Sequence, residues 1–179
     1  MTRRVDAALN DERIVDAALH ELAADPNAGM DRLAAAAGMG RATLYRRFPT
    51  REDLLSRLRE QAKREALAVM TAARVDEGSA AEALERLLAA LLPIADRYAY
   101  LAQPSQVSHV PDPALAKPWL RLITRGQASG ELSSEVPAEW WLAAIRAHFQ
   151  QAALAVSAGC PLHEAAALAA RAVLGGLRA

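Results

Sequence analysis

The stretch AGMGRATLYRRF, Ala37–Phe48, decides how the rest of the chain is read. Gly38 stands where a short helix would end on a left-handed residue, and only Met39 and Gly40 separate it from the next helical run. That run, Arg41–Phe48, places Leu44 and Phe48 four residues apart on an inward face. Arg41, Thr43, Tyr45, Arg46 and Arg47 occupy the rest, and Ala42 is small enough for close approach to a neighbouring surface. From Gly40 to Arg51 there are four arginines, at 41, 46, 47 and 51, and no acid. Taken by itself, such a helix is compatible with a solvated face. Two short helices joined through a glycine turn, however, are the helix-turn-helix pattern. Its second helix fits the major groove of DNA. Arginine gives bidentate contact to phosphate or guanine, and the Thr43 and Tyr45 hydroxyls add hydrogen bonds to phosphate. The helix N-termini at Arg41 and Arg51 contribute backbone N–H donors.

Upstream, Asn10 is a candidate N-cap for a helix to about Ala24, with Ile14, Val15, Ala18, Leu19 and Leu22 inward. The segment DPNAG ends it, since Pro26 disfavours helix at Asp25. A short helix Met30–Ala37 follows, with Leu33 and alanines inward. Downstream, Pro49 stops the arginine-rich helix, and Thr50 with Asp53 is close to a capping box. A long helix from Arg51 to about Arg74 carries the stripe Leu54, Leu55, Leu58, Ala62 and Val69, and would be roughly 36 Å long.

A second region begins after VDEGS. Ser79 and Glu82 form a capping box for a helix to about Leu92, which Pro93 kinks or ends, with one short helix expected in 94–102. QPSQVSHVPDP is loop-like; Asp112 and Pro113 suit N-cap and N1 of a helix to about Ser129. Pro137 opens a helix to about Ala158 and Pro161 a last one to about Leu177, joined by GCP and so antiparallel neighbours. The expected fold is all-α: an N-terminal three-helix unit, tied by a long helix to a C-terminal helical bundle, about nine helices in all.

The segment MDRLAAAAGMGRATLYRRFPTREDLL resembles the DNA-binding region of the tetracycline-repressor (TetR/AcrR) family of bacterial transcription regulators. Leu33-Ala34, the Ala37-Gly38 turn, Thr43-Leu44-Tyr45, Phe48-Pro49-Thr50-Arg51-Glu52 and Leu54-Leu55 fall on the family pattern in order and spacing. The likeness spans about residues 10–60; beyond it only the helical plan corresponds. There are departures: Gly40 and Gly29 stand where Ser or Thr is usual, Ala42 replaces a common glycine, Arg47 a histidine and Arg51 a lysine. The resemblance implies that Arg41 and Ala42 lie at the base-reading end, that Thr43, Tyr45, Arg47 and Arg51 anchor phosphate, and that Arg46 faces outward. It also implies a DNA-binding domain over residues 1–50, with the start of the linking helix to about 60, and a ligand-binding and dimerisation domain over 51–179. Its partners would be a palindromic double-stranded operator, a second copy of the chain and an unknown small-molecule effector.

For the dimer seam, Trp141, Ile145, His148, Phe149, Ala152 and Val156 form one face of the penultimate helix. Leu162, Ala165, Ala169, Ala172 and Val173 form one on the last. The same faces would equally close the chain's own core. For the effector pocket, the aromatic and polar groups of the middle helices are Tyr98, Tyr100, Gln103 and Gln106, then His109, Trp119 and Ile123.

Other functions find less support. The 21 Lys and Arg balance the 21 Asp and Glu, so no global field recruits nucleic acid or membrane. Cys160 is the single cysteine and fits a reducing cytoplasm. The N-terminus lacks a signal peptide's apolar region, and no apolar run reaches the roughly 18 residues of a membrane span. His20, His109, His148 and His163 are scattered without metal-ligand spacing, and there is no nucleophile motif or phosphate-cradling loop. Neither metal, cofactor nor catalytic residue is expected. Two other classes remain: a ligand-binding helical protein whose helix-turn-helix no longer meets DNA, and a helical enzyme or scaffold of the same plan.

Overall fold

In the computed structural model, which describes residues 14–102 and 112–176, every regular element is helical. In chain order these are α1 (14–24), α2 (Met30–Ala36), α3 (Arg41–Arg47), α4 (Arg51–Ala72) and α5 (Ala80–Arg97). A 3-10 turn over Ala99–Ala102, α6 (Pro113–Ala128), α7 (Ala138–Ser157) and α8 (Leu162–Gly176) complete it. The all-α expectation holds; the expected Asn10 cap lies outside the described residues. The chain forms two compact units, Met1–Gln61 and Ala62–Ala179, so α4 starts in the first and ends in the second.

In the first unit the periodic apolar face of α1 is fully used: Ile14, Val15, Ala18, Leu19 and Leu22 are all buried. So are Leu33 and Ala34 of α2, Leu44 of α3 and Leu54, Leu55 and Leu58 of α4. The link from α1 to α2 is held by Asp25, which accepts the Asn27 amide at 2.9 Å and Arg32 Nη1 at 2.9 Å.

The second unit is a bundle around α5. Its start is set by a full capping box: the Ser79 hydroxyl accepts the Glu82 amide at 3.1 Å, and Glu82 accepts the Ser79 amide at 3.0 Å. Leu84, Leu87, Leu88, Leu91 and Leu92 then face the core with Trp119, Leu122, Ile123, Trp141 and Ile145. The expected end of this helix near Leu92 is corrected. Pro93 lies inside α5, which runs on to Arg97. The proline sacrifices one intrahelical bond, but Ile94 and Ala95 pack against the same core beyond it. Pro118 is likewise carried inside α6. At the other margin α4 stops at Ala72, two residues short of expectation, and Arg74 turns left-handed at φ 48°. Two arginines fasten the loop that follows: Arg86 Nη2 donates to Glu77 O at 2.7 Å and Arg125 Nη1 to Gly78 O at 2.6 Å.

Candidate nucleic-acid interface and ligand cavity

The turn between α2 and α3 is built by the backbone. Gly38 has φ +66°, a conformation that L side chains rarely adopt. With it in place, the Gly38 amide donates to Ala35 O at 3.0 Å and the Met39 amide to Ala34 O at 3.0 Å. These two bonds are a Schellman closure and use carbonyls that the helix end would otherwise leave open. Met39 is half-buried against this corner. Gly40 then enters α3 in extended geometry with no side-chain cap.

Within α3, Leu44 is fully buried and Phe48 is 8% exposed. These two anchors leave Arg41, Ala42, Arg46 and Arg47 exposed and Thr43 and Tyr45 half-buried. The structure adds a detail that the local sequence could not show. Arg41 Nε lies 2.9 Å from Asp31 Oδ1 of α2, and its guanidinium carbon sits 5.4 Å from the centroid of the Tyr45 ring. Thr50 and Asp53 make the expected box at the start of α4: the Asp53 amide donates to Thr50 Oγ1 at 3.1 Å and the Thr50 amide to Asp53 Oδ2 at 2.9 Å. Arg51 is half-buried, and its Nη2 donates to Pro26 O at 2.7 Å, tying α4 to the α1–α2 loop.

In the second unit a cavity of about 330 Å³ opens among α4, α5, α6 and α7. Met70, Leu91, Leu115, Trp119 and Leu142 give it apolar walls. Of the aromatic and polar residues expected to form a pocket, Trp119 lines it. Tyr98 and Tyr100 are buried elsewhere, and the Tyr98 hydroxyl donates to Glu65 Oε1 at 2.9 Å. Ile123 is a fully buried core residue, while Gln103, Gln106 and His109 lie outside the described residues. Ile145 and Phe149, read from sequence as part of a seam, line this cavity. Arg146, which the sequence reading passed over, does so too.

The other seam residues divide. Trp141, Ala152, Ala165, Ala169 and Val173 are buried within the chain, and Trp141 Nε1 donates to Ser133 O at 3.2 Å. A helix has more than one apolar face here, and the larger side chains go to the chain's own core. On the surface of α7 and α8 a shallow groove is lined by His148, Gln151, Ala155, Leu168 and Ala172, with the expected seam residues Ala152, Ala165 and Ala169 at its floor. Leu154 is 57% and Leu168 49% exposed. Val156 and Leu162 are half-buried.

Among the described residues no group of three His, Cys, Asp or Glu could hold a metal ion. No helix there is long and apolar enough to cross a membrane.

A short helix locked onto a glycine turn, its basic face to solvent and a capped long helix after it, defines a helix-turn-helix unit of the DNA-reading kind. Residues 14–58 match the family described as bacterial regulatory proteins, tetR family. The match places the N-terminal helix-turn-helix region of this chain, about a quarter of its length, with that family. Over 45 residues it is 51% identical to the HTH-type transcriptional repressor LfrR of Mycolicibacterium smegmatis. That match covers 25% of this chain and 24% of the relative, so the sequence likeness spans about a quarter of each. The crystal structure of LfrR in complex with proflavine superimposes with a TM-score of 0.75 at 25% identity, over 95% of this chain and 98% of that one. PfmR of Thermus thermophilus gives 0.76 at 19% identity, over 93% of this chain and 100% of that one, and shows the fold alone.

Proposed function

We propose that this chain is a ligand-responsive transcriptional repressor that binds a palindromic operator as a homodimer and is released by a small molecule. One observation carries the reading: the acid-free outer face of α3, held out by Leu44 and Phe48 and bounded by the Gly38 turn and the Thr50–Asp53 box. Arg41 and Ala42 read base edges; Thr43, Tyr45, Arg47 and Arg51 bind phosphate, with Arg46 on the outer side. Residues 1–50 and the start of α4 serve DNA, and residues 51–179 serve ligand binding and dimerisation. The protein works in the cytoplasm and without catalysis.

Dimerisation uses the outward faces of α7 and α8, where Leu154, Leu168 and Ala172 offer apolar surface and small residues allow close helix approach. The effector site is the cavity beside Trp119 and Phe149. The proflavine bound in LfrR supports a small organic molecule as effector in this fold. Release requires the ligand to bind the DNA-free form better than the DNA-bound one.

The test is selection of bound DNA from a random pool by the full chain. The expected result is a two-fold symmetric consensus with half-sites about one helical turn apart. Failure to enrich any sequence overturns the reading.

A further inference from the structure

The cavity of the second unit has apolar walls and one charge that has no ion pair among the described residues. Two charged side chains line it, Asp112 and Arg146. Asp112 is already committed: its Oδ1 accepts the Ala114 amide at 2.8 Å as N-cap of α6, and its Oδ2 lies 2.6 Å from Lys63 Nζ. Its charge is therefore neutralised within the protein, and both oxygens are occupied. Arg146 is different. Among the described residues it has neither ion pair nor hydrogen bond. Its neighbours one turn away on α7 are Leu142, Ala143, Phe149 and Gln150, none of which can offer it an opposite charge. The nearest acid before it on that helix is Glu139, two turns back.

A guanidinium stays charged at any accessible pH, and its planar fork matches a carboxylate in bidentate geometry. Arg146 is exposed, so it stands at the mouth while Met70, Trp119 and Phe149 extend the apolar wall. A neutral ligand would leave the guanidinium with water, and a cation would be repelled by it. An apolar body with an anionic head satisfies both parts of the site. We propose that the cavity takes an amphipathic organic carboxylate, its apolar body against Trp119 and Phe149 and its head paired with Arg146. This names the chemical class of the effector and rests on reading the cavity as the effector site.

The experiment is calorimetric titration of the full chain with decanoate, decanol and decylamine, which share an apolar body and differ in head charge. Decanoate should bind about tenfold or more tighter than decanol, with decylamine weakest. Arg146→Gln should bring decanoate down to the decanol level and leave decanol unchanged, while Arg146→Lys keeps most of the preference. Ala116→Trp, which fills the cavity, should abolish binding of all three; thermal melts check that each variant is folded. Equal binding of the three probes, tighter binding of decylamine, or an unchanged decanoate affinity in Arg146→Gln overturns the carboxylate class and leaves the cavity as a site. Binding of no probe, or decanoate binding that survives Ala116→Trp, overturns the class and the cavity reading together, independently of whether operator DNA binds.

Discussion

Arg41 and Arg47 lie on one exposed helix but stand in different situations. Arg41 is tethered to Asp31 and stacked over Tyr45, with both members of the ion pair largely exposed. Such a pair is worth at most about 1 kcal/mol, so Arg41 can leave it for a base edge at small cost. Arg41→Ala should weaken the selected operator by about 1–3 kcal/mol and relax preference at one base position, as a selection repeated with the variant would record. Arg47→Ala should instead weaken all sequences alike and make the salt dependence shallower, because a lost phosphate contact carries no sequence information. Equal loss of specificity in both variants would reverse these roles. At Gly40 a hydroxyl cap is missing, and a Cβ built there meets nothing within 4 Å. Gly40→Ser should therefore stabilise the protein by about 0.5 kcal/mol in urea unfolding, through the cap and a less flexible unfolded chain. Gly38 looks equally open to a Cβ, but its φ of +66° makes Gly38→Ala destabilising by about 1 kcal/mol.

Element by element, what could be read from the sequence was what is local. The Gly38 turn, the Thr50–Asp53 and Ser79–Glu82 boxes and the Asp112 cap each depend on a few consecutive residues, and the structure has them all. Pro93 was not legible, because whether a helix survives a proline depends on what packs beyond it. On α7 and α8 alanine runs around much of the circumference, and periodicity alone does not separate the face that meets the chain's own core from the one left at the surface. Arg146 was not legible because its place in the wall of a cavity is a fact of three dimensions. The caps also set a pH response. Ser79's amide, then its hydroxyl, hold the Glu82 carboxyl below its ordinary value; Lys63, then the Ala114 amide, do so for Asp112. The Ser129 hydroxyl, at 2.9 Å, does the same for Glu131, which also accepts the Ala80 amide at 2.6 Å. A carboxylate with a lowered folded pKa stabilises the fold above its unfolded value and loses that contribution as pH falls through the folded one. Urea midpoints should thus stay flat with respect to these groups above about pH 5 and fall below about pH 4. Glu131→Gln should flatten that fall; an unchanged acid slope would remove Glu131 from the account.

At the scale of the whole molecule, affinity for an operator depends on how many arginines reach phosphate at once. One subunit presents a single α3, and a two-fold operator needs two. Leu154 and Leu168, more than half and about half exposed, are large apolar side chains left on the surface of α7 and α8, as is Trp140 near the start of α7. Placing arginine at both positions sets like charges against each other across a two-fold contact, where each patch faces its own copy. The double variant Leu154→Arg/Leu168→Arg should sediment as a monomer at concentrations where the parent sediments as a dimer. Its thermal unfolding should change little, because neither side chain belongs to the buried core. Operator binding should drop by at least about tenfold, since the second half-site is no longer tethered. The salt dependence should report the same event: if Arg47 and Arg51 of both subunits release counterions, log K against log salt has a slope of about −4 for the dimer and about half that for the monomer. A monomeric variant with the parent's full slope would mean that the phosphate contacts come from elsewhere in the chain. A variant still dimeric would move the contact off this face.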